Sequence, residues 1–281
     1  MGAHAPGQEQ APRALREAGL ATRVPGLVDH GDTTLRRWAP DREHRRAQNA
    51  AAVVEAAGEV AALVEPVLRD GGRALVLGGD CTVELGVLSG ALRAGRERVG
   101  LVYFDMHPDL NTPETVVTGT LDWMGVAHML ALSGTHPAVA GLGPRTPLLS
   151  PADLVLLAAD PDETRPAEHS AIEEHDVRAI PMGEVAADPS AAAARALALL
   201  DHDHLLVHFD VDTVDFVDLP LSENTGLNIG MPFAAARAAL AVLAADERVA
   251  ALTVTEHNPA HGAQDGSTTA ALAQALADAI G

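Results

Sequence analysis

The 281-residue chain has one cysteine, Cys81, no lysine, and aromatic residues at only 2%. A lone thiol excludes an internal disulfide and suits a reducing compartment. With so few rings, the core has to be aliphatic, built from Ala, Val and Leu. The 47% hydrophobic content is enough for such a core and argues against disorder along the chain. No uncharged apolar stretch reaches the roughly 18 residues needed to span a bilayer. Met1–Leu20 lacks the basic segment and apolar run of a secretion signal, so the expected location is cytoplasmic. All 19 basic residues are arginine and the formal net charge is −20. Such a field argues against nucleic acid or anionic membrane as partner, and suits a cationic substrate or metal ions. Most of the acidity needs no further role than keeping the chain soluble.

Short apolar runs alternate with Ala/Leu-rich stretches. The runs are Ala74–Leu77, Val99–Phe104, Leu154–Ala158, Leu205–Phe209 and Ala250–Thr255, each the length of a buried parallel strand and none strictly alternating. Helices are expected over Arg42–Arg69, Thr82–Ala94, Trp123–Leu132, Pro189–Leu200, Pro232–Ala245 and Thr268–Ile280. This alternation predicts an α/β fold, a mostly parallel sheet with helices on both faces. Without a linker, repeat or low-complexity tract, residues 1–281 read as a single domain, with Gly141–Pro151 as an internal loop.

Four of the runs lead into a polar cluster. Leu77 leads into Gly78-Gly79-Asp80-Cys81, and Phe104 into Asp105-Met106-His107-Pro108-Asp109. Phe209 leads into Asp210-Val211-Asp212, and Thr255 into Glu256-His257-Asn258. Open α/β sheets bind ligands outside the carboxyl ends of their strands. Residues two apart in extended chain point the same way, so Asp105, His107 and Asp109 can converge, as can Asp210 and Asp212. Clustered carboxylates repel and would take up protons unless divalent cations compensate them. An oxygen-rich set with few imidazoles suits Mn²⁺ or Mg²⁺. One Asp-X-His-X-Asp run alone fits a loop or helix cap equally well; the second acidic run after another buried strand favours metal. Asp215 reads as a cap or support.

The ordered set GGDCTVELG, FDMHPDLNTPE, HFDVDTVD and TEHNPAHG resembles the ureohydrolases: arginase, agmatinase and formimidoylglutamase. The resemblance runs from about Gly2 to the C-terminus. It implies a three-layer α/β/α fold, two manganese ions and assembly into trimers or hexamers. In the implied reaction a hydroxide between the metals attacks a guanidinium carbon and releases urea. By position, Asp105 and Asp210 would bridge the metals, His107 and Asp212 would bind one of them, and Asp109 would bind the other and accept a proton. Glu256 would hold the cationic guanidinium. The stretch from Asn111 to Gly119 resembles the arginase branch, where Asn111 and Thr118 would meet an amino-acid carboxylate, and Asp160 and Glu163 an α-ammonium. An ordinary turn is the alternative for the first pair, and a solvated loop for the second.

Three departures from the family stand out. Cys81 replaces a metal-binding His; its thiolate suits Zn²⁺, Fe or Co better than Mn²⁺, or leaves one metal position weak, or it is a buried packing residue. Asp122 stands where arginases often carry a proton-shuttling His, and acid–base work there requires a raised pKa. The two together resemble hydrolases of Nω-hydroxy-arginine from biosynthetic pathways. The family's first, interior strand also has no counterpart, which predicts a gap beside the central strands or a misassigned start. The remaining histidines form no clear constellation: His208 is expected to face a helix from its strand, and for His257, next to Glu256, lining the pocket is only the lesser alternative. The leading expectation is a hydrolase of a guanidino C–N bond. The alternatives are a single-zinc, deacetylase-like amidohydrolase and an inactive metal-binding homologue.

Overall fold

The computed structural model describes residues 1–281. Six parallel strands form one sheet in the order β1-β6-β5-β2-β3-β4. They are β1 (Ala74–Leu77), β2 (Val99–Phe104), β3 (Leu154–Ala159), β4 (Arg178–Pro181), β5 (His204–Asp210) and β6 (Val249–Thr255). The helices in the first half are α1 (Ala11–Glu17), α2 (Leu20–Arg23), α3 (Ala50–Arg69), α4 (Val83–Arg93), α5 (Gly125–Met129) and α6 (Pro137–Ala140). Those in the second half are α7 (Pro166–Glu174), α8 (Met182–Ala187), α9 (Pro189–Ala198), α10 (Phe233–Ala245) and α11 (Ser267–Ile280). No helix is long and apolar enough to cross a membrane.

The strands are apolar without alternation because both faces are covered. Val102, Phe104, Val207 and Phe209 enter one core with α1, α2 and α8–α11. Leu101, Tyr103 and Leu206 enter the other with α3, α4 and α5. Two cores flanking one sheet make three layers. In α3 the buried residues Val53, Ala57, Val60, Ala61, Val64 and Leu68 recur at helical spacing. They pack on α4 so closely that a Cβ on Gly86 would lie 2.6 Å from the Ala57 carbonyl oxygen.

The expected gap is absent: β5 and β2 have neighbours on both sides. The sheet instead ends at β1, whose four residues are all partly exposed. One open edge leaves a row of backbone groups to water, which is cheaper than an unfilled interior slot. β4 and α7 escape the apolar pattern. β4 is a half-exposed edge strand ending in a proline, and edges tolerate proline. α7 is mostly polar, with Glu168 its only buried residue. The expected long helix Arg42–Arg69 is shorter at its start, because Asp41 to Asn49 form turns closed by the Asp41 carboxylate.

Candidate metal centre

The register of β2 against β5 builds the site. Tyr103 is paired with His208 and Phe104 with Phe209, so the next residues, Asp105 and Asp210, emerge side by side at the carboxyl edge. Each aspartate then shapes its own turn. An Asp105 Oδ1 accepts the His107 backbone N–H at 2.7 Å, and Asp210 Oδ1 accepts that of Asp212 at 2.7 Å. The two acidic runs thus share one local design: the first carboxylate fixes the turn that presents the second donor. His107 Nδ1 lies 3.1 Å from Asp212 Oδ2 and 3.5 Å from Asp105 Oδ1.

Three donor groups result, each with its ligand atoms within 4.8 Å of one another: Asp105, His107 and Asp212; Cys81, Asp105, His208 and Asp210; and Cys81, Asp122 and Glu256. Asp105 Oδ2, Asp212 Oδ1 and Glu256 Oε1 are buried without any hydrogen-bond partner. Orphaned anionic oxygens in such density call for cations, so the residues present fit divalent metal. Cys81 does point into the cluster, its thiol donating to Asp210 at 3.0 Å. Asp109 lies outside the three groups, its Oδ2 accepting the Tyr103 hydroxyl at 2.5 Å. Its backbone is left-handed, at φ 50°, as is that of Glu256 at φ 63°. Such conformations persist only where surrounding structure imposes them.

The electrostatics match the crowding. Burial, then Asp212 and Asp105, push the Asp210 carboxyl well above the usual range. Burial, then Asp105 and Asp122, do so for Asp109, and burial, then Asp122 and Asp80, for Glu256. Asp122 is raised by burial and Asp80, although the Cys81 backbone N–H donates to it at 2.7 Å. The Cys81 thiol is raised by burial and the neighbouring Asp210. Burial pulls the His107 imidazole down, but Asp212 and Asp105 overcome it and hold the pKa well up.

These shifts fix the sign of a stability effect. Carboxyls raised when folded bind more protons in the folded chain than in the unfolded one, where they titrate near about 4. Stability without metal therefore falls as pH rises from there through the folded values. His107 acts in the same direction: its contribution is complete below the unfolded value of about 6.5 and is lost as pH rises through the folded one. Metal-free protein is expected to melt higher near about pH 5 than near about pH 8, and divalent ions, which bind deprotonated ligands, to reverse the order. A metal-free melting temperature that climbs over this interval would contradict the arrangement.

The residues expected around an amino-acid head are scattered in their roles. Asn111 is buried and its Oδ1 accepts the Thr115 hydroxyl at 3.4 Å. Thr118 is exposed; its carbonyl accepts the Gln48 amide and its hydroxyl that of Thr120. The Asp160 carboxylate accepts the Asp162 backbone N–H at 2.9 Å, and Glu163 is half-buried on the same loop. That loop is tied to the Asp105 run, because the Asp160 N–H donates to the Met106 carbonyl at 2.8 Å. No hydrogen bond joins the two pairs. His257 is taken up structurally: Nδ1 faces the Leu221 carbonyl at 2.7 Å and Nε2 the Thr269 hydroxyl at 3.0 Å, so it pins loop to helix.

Sequence reasoning missed Gln8, whose amide donates to Glu256 Oε2 at 3.0 Å from 248 positions away. It also missed Tyr103 and His208 as site residues. Their signal was present, since each lies two residues before a cluster aspartate on the same face of its strand.

Buried donors gathered at the carboxyl edge of a parallel sheet define an α/β protein with candidate metal-ligand groups. The family model described as Arginase family matches residues 1–281. The chain is 30% identical to the arginase of Bacillus caldovelox, over 96% of this chain and 91% of that one. The solved structure of that arginase aligns with a TM-score of 0.83 at 26% identity, covering 98% of this chain and 95% of the other. The arginase of Bacillus subtilis shares the fold at a TM-score of 0.87 and 24% identity, over 98% and 95%. The chain belongs to the arginase family and is a hydrolase of the ureohydrolase type. The deacetylase alternative falls with that membership.

Proposed function

We propose that the chain cleaves a guanidino C–N bond of an arginine-like amino acid, releasing urea or a urea derivative, with two divalent ions held by Asp105, His107, Asp109, Asp210, Asp212 and Cys81. The observation that carries this reading is the pair of donor groups sharing Asp105. Divalent ions there supply Lewis acidity and lower the pKa of water. Mn²⁺ suits the oxygen-rich group of Asp105, His107 and Asp212. Glu256, buried and with one oxygen unpartnered, receives the guanidinium and orients it. Asp109 takes up the proton released by water, its pKa already raised by burial and by Asp105. Asn111 and Thr118 are assigned to the substrate carboxylate, and Asp160 and Glu163 to the ammonium.

Asp122 favours a second reading. It sits beside Cys81 and Glu256, and its raised pKa keeps a proton available. A protonated carboxyl can donate to an oxygen that a plain guanidinium lacks, which suits Nω-hydroxy-arginine. The test compares L-arginine and Nω-hydroxy-L-arginine with agmatine and 4-guanidinobutyrate, following urea or hydroxyurea release. Losing the α-carboxylate is expected to lower kcat/KM at least tenfold, about 1.4 kcal/mol. Equal turnover of agmatine would remove the head-group assignment and leave the metal chemistry standing.

A further inference from the structure

His208 is wholly buried, yet it is not surrounded like a packing residue. Its ring stacks on Tyr103 with centroids 4.1 Å apart and planes 4° from parallel. Nδ1 lies 3.4 Å from a carboxylate oxygen of Glu84, in the first turn of α4, within ion-pair range but without a hydrogen bond. Glu84 is itself fully buried, and neither of its carboxylate oxygens has a hydrogen-bond partner. On the other side of the ring, Nε2 meets the Thr255 hydroxyl at 3.2 Å, and that hydroxyl lies 3.4 Å from the Cys81 sulfur. The imidazole is therefore held by its plane, backed by a carboxylate at one nitrogen, and turned with the other toward Cys81.

That placement resembles the one a metal-ligating histidine takes. Such residues usually give one ring nitrogen to a carboxylate, which fixes the tautomer, and the other to the ion. The donor groups of His208, Cys81, Asp105 and Asp210 all lie within 4.8 Å of one another. The geometry points to His208 as the fourth donor of a Cys81, His208, Asp105 and Asp210 cage, oriented by Glu84, that selects a borderline or soft divalent ion such as Zn²⁺ or Co²⁺. The inference rests on the two-ion reading above and makes the two positions chemically unequal. One carries thiolate and imidazole; the other, around His107 and Asp212, has no sulfur. A thiolate and an imidazole in one tetrahedral set favour zinc-like ions, whereas carboxylates favour manganese. The nitrogen that a histidine at position 81 would give is thus supplied from β5.

The test uses the full-length protein loaded with one equivalent of Co²⁺ or Zn²⁺. Cobalt in the wild type is expected to show a thiolate-to-metal charge-transfer band, marking Cys81 as a ligand. His208→Phe keeps a ring to stack on Tyr103 but has no donor. It is expected to weaken uptake of that equivalent at least tenfold and to change the ligand-field bands. Glu84→Gln is expected to weaken it on the order of tenfold, as loss of an orienting carboxylate does. Unchanged affinity and spectrum in a folded His208→Phe protein would overturn the inference, since a merely structural Glu84–His208 pair moves neither. A second measurement leaves His208 in place: X-ray absorption on zinc-loaded His107→Ala protein. Sulfur and imidazole on the same ion support the cage, and the absence of either overturns it. A wild type that retains no divalent ion overturns the two-ion reading with it; uptake indifferent to His208 removes this donor alone.

Discussion

Asp210→Ala is expected to abolish turnover, lowering kcat at least roughly a thousandfold, about 4 kcal/mol, and to strip metal from the protein. The expectation rests on position. Asp210 ends β5 beside Asp105, accepts the Cys81 thiol, and through Oδ1 holds the turn that presents Asp212. One truncation therefore disturbs both ion positions. The same substitution has an opposite effect without metal. Asp210 is a buried carboxyl crowded by Asp212, Asp105 and Glu256, so its removal relieves repulsion near neutral pH. The metal-free variant is expected to melt no lower than metal-free wild type. Elemental analysis, kinetics and melting curves separate these effects. Metal content and kcat within tenfold of wild type would show that Asp210 serves neither ion.

Glu256→Gln is expected to separate substrate binding from metal binding. Glutamine keeps the size of the side chain and an oxygen to accept the Gln8 amide, but it loses the negative charge. A guanidinium buried without its counter-charge loses a charge-assisted interaction, and breaking such a buried pair costs about 3–5 kcal/mol, which is about 10²–10³-fold or more in kcat/KM. Metal content is expected to stay at the wild-type level. The competing outcome is specific, because Glu256 also falls in a donor group with Cys81 and Asp122. Loss of metal from Glu256→Gln would make Glu256 a ligand and require the pocket to be redrawn. Its left-handed backbone is compatible with Gln as with Glu, so strain does not confuse the comparison.

The five β-runs read from sequence, Ala74–Leu77 through Ala250–Thr255, all appear as strands with ends shifted by at most a residue. They were legible because a parallel strand covered on both faces is a short apolar run bounded by polar turns. The acidic clusters were legible for the same reason: a charged residue directly after such a run must lie at the sheet edge. Short or polar elements were not. β4 and α7 make too few apolar contacts to leave a periodic trace.

By itself, then, the sequence determined an α/β sheet, an aliphatic double core and a carboxyl edge carrying Asp105, His107, Asp210 and Asp212. Those features follow from local spacing, because burial on both faces and the two-residue repeat of extended chain act within one segment. Tertiary structure decided which clusters meet. Strand order and the pairing of Tyr103 with His208 set Asp105 beside Asp210, and helix packing brought Glu84 to His208 and Gln8 to Glu256. Tertiary structure also turned the expected interior gap into an open edge at β1. These outcomes depend on pairing between segments a hundred or more residues apart, where the free energy comes from burying whole faces together and no local pattern records the partner.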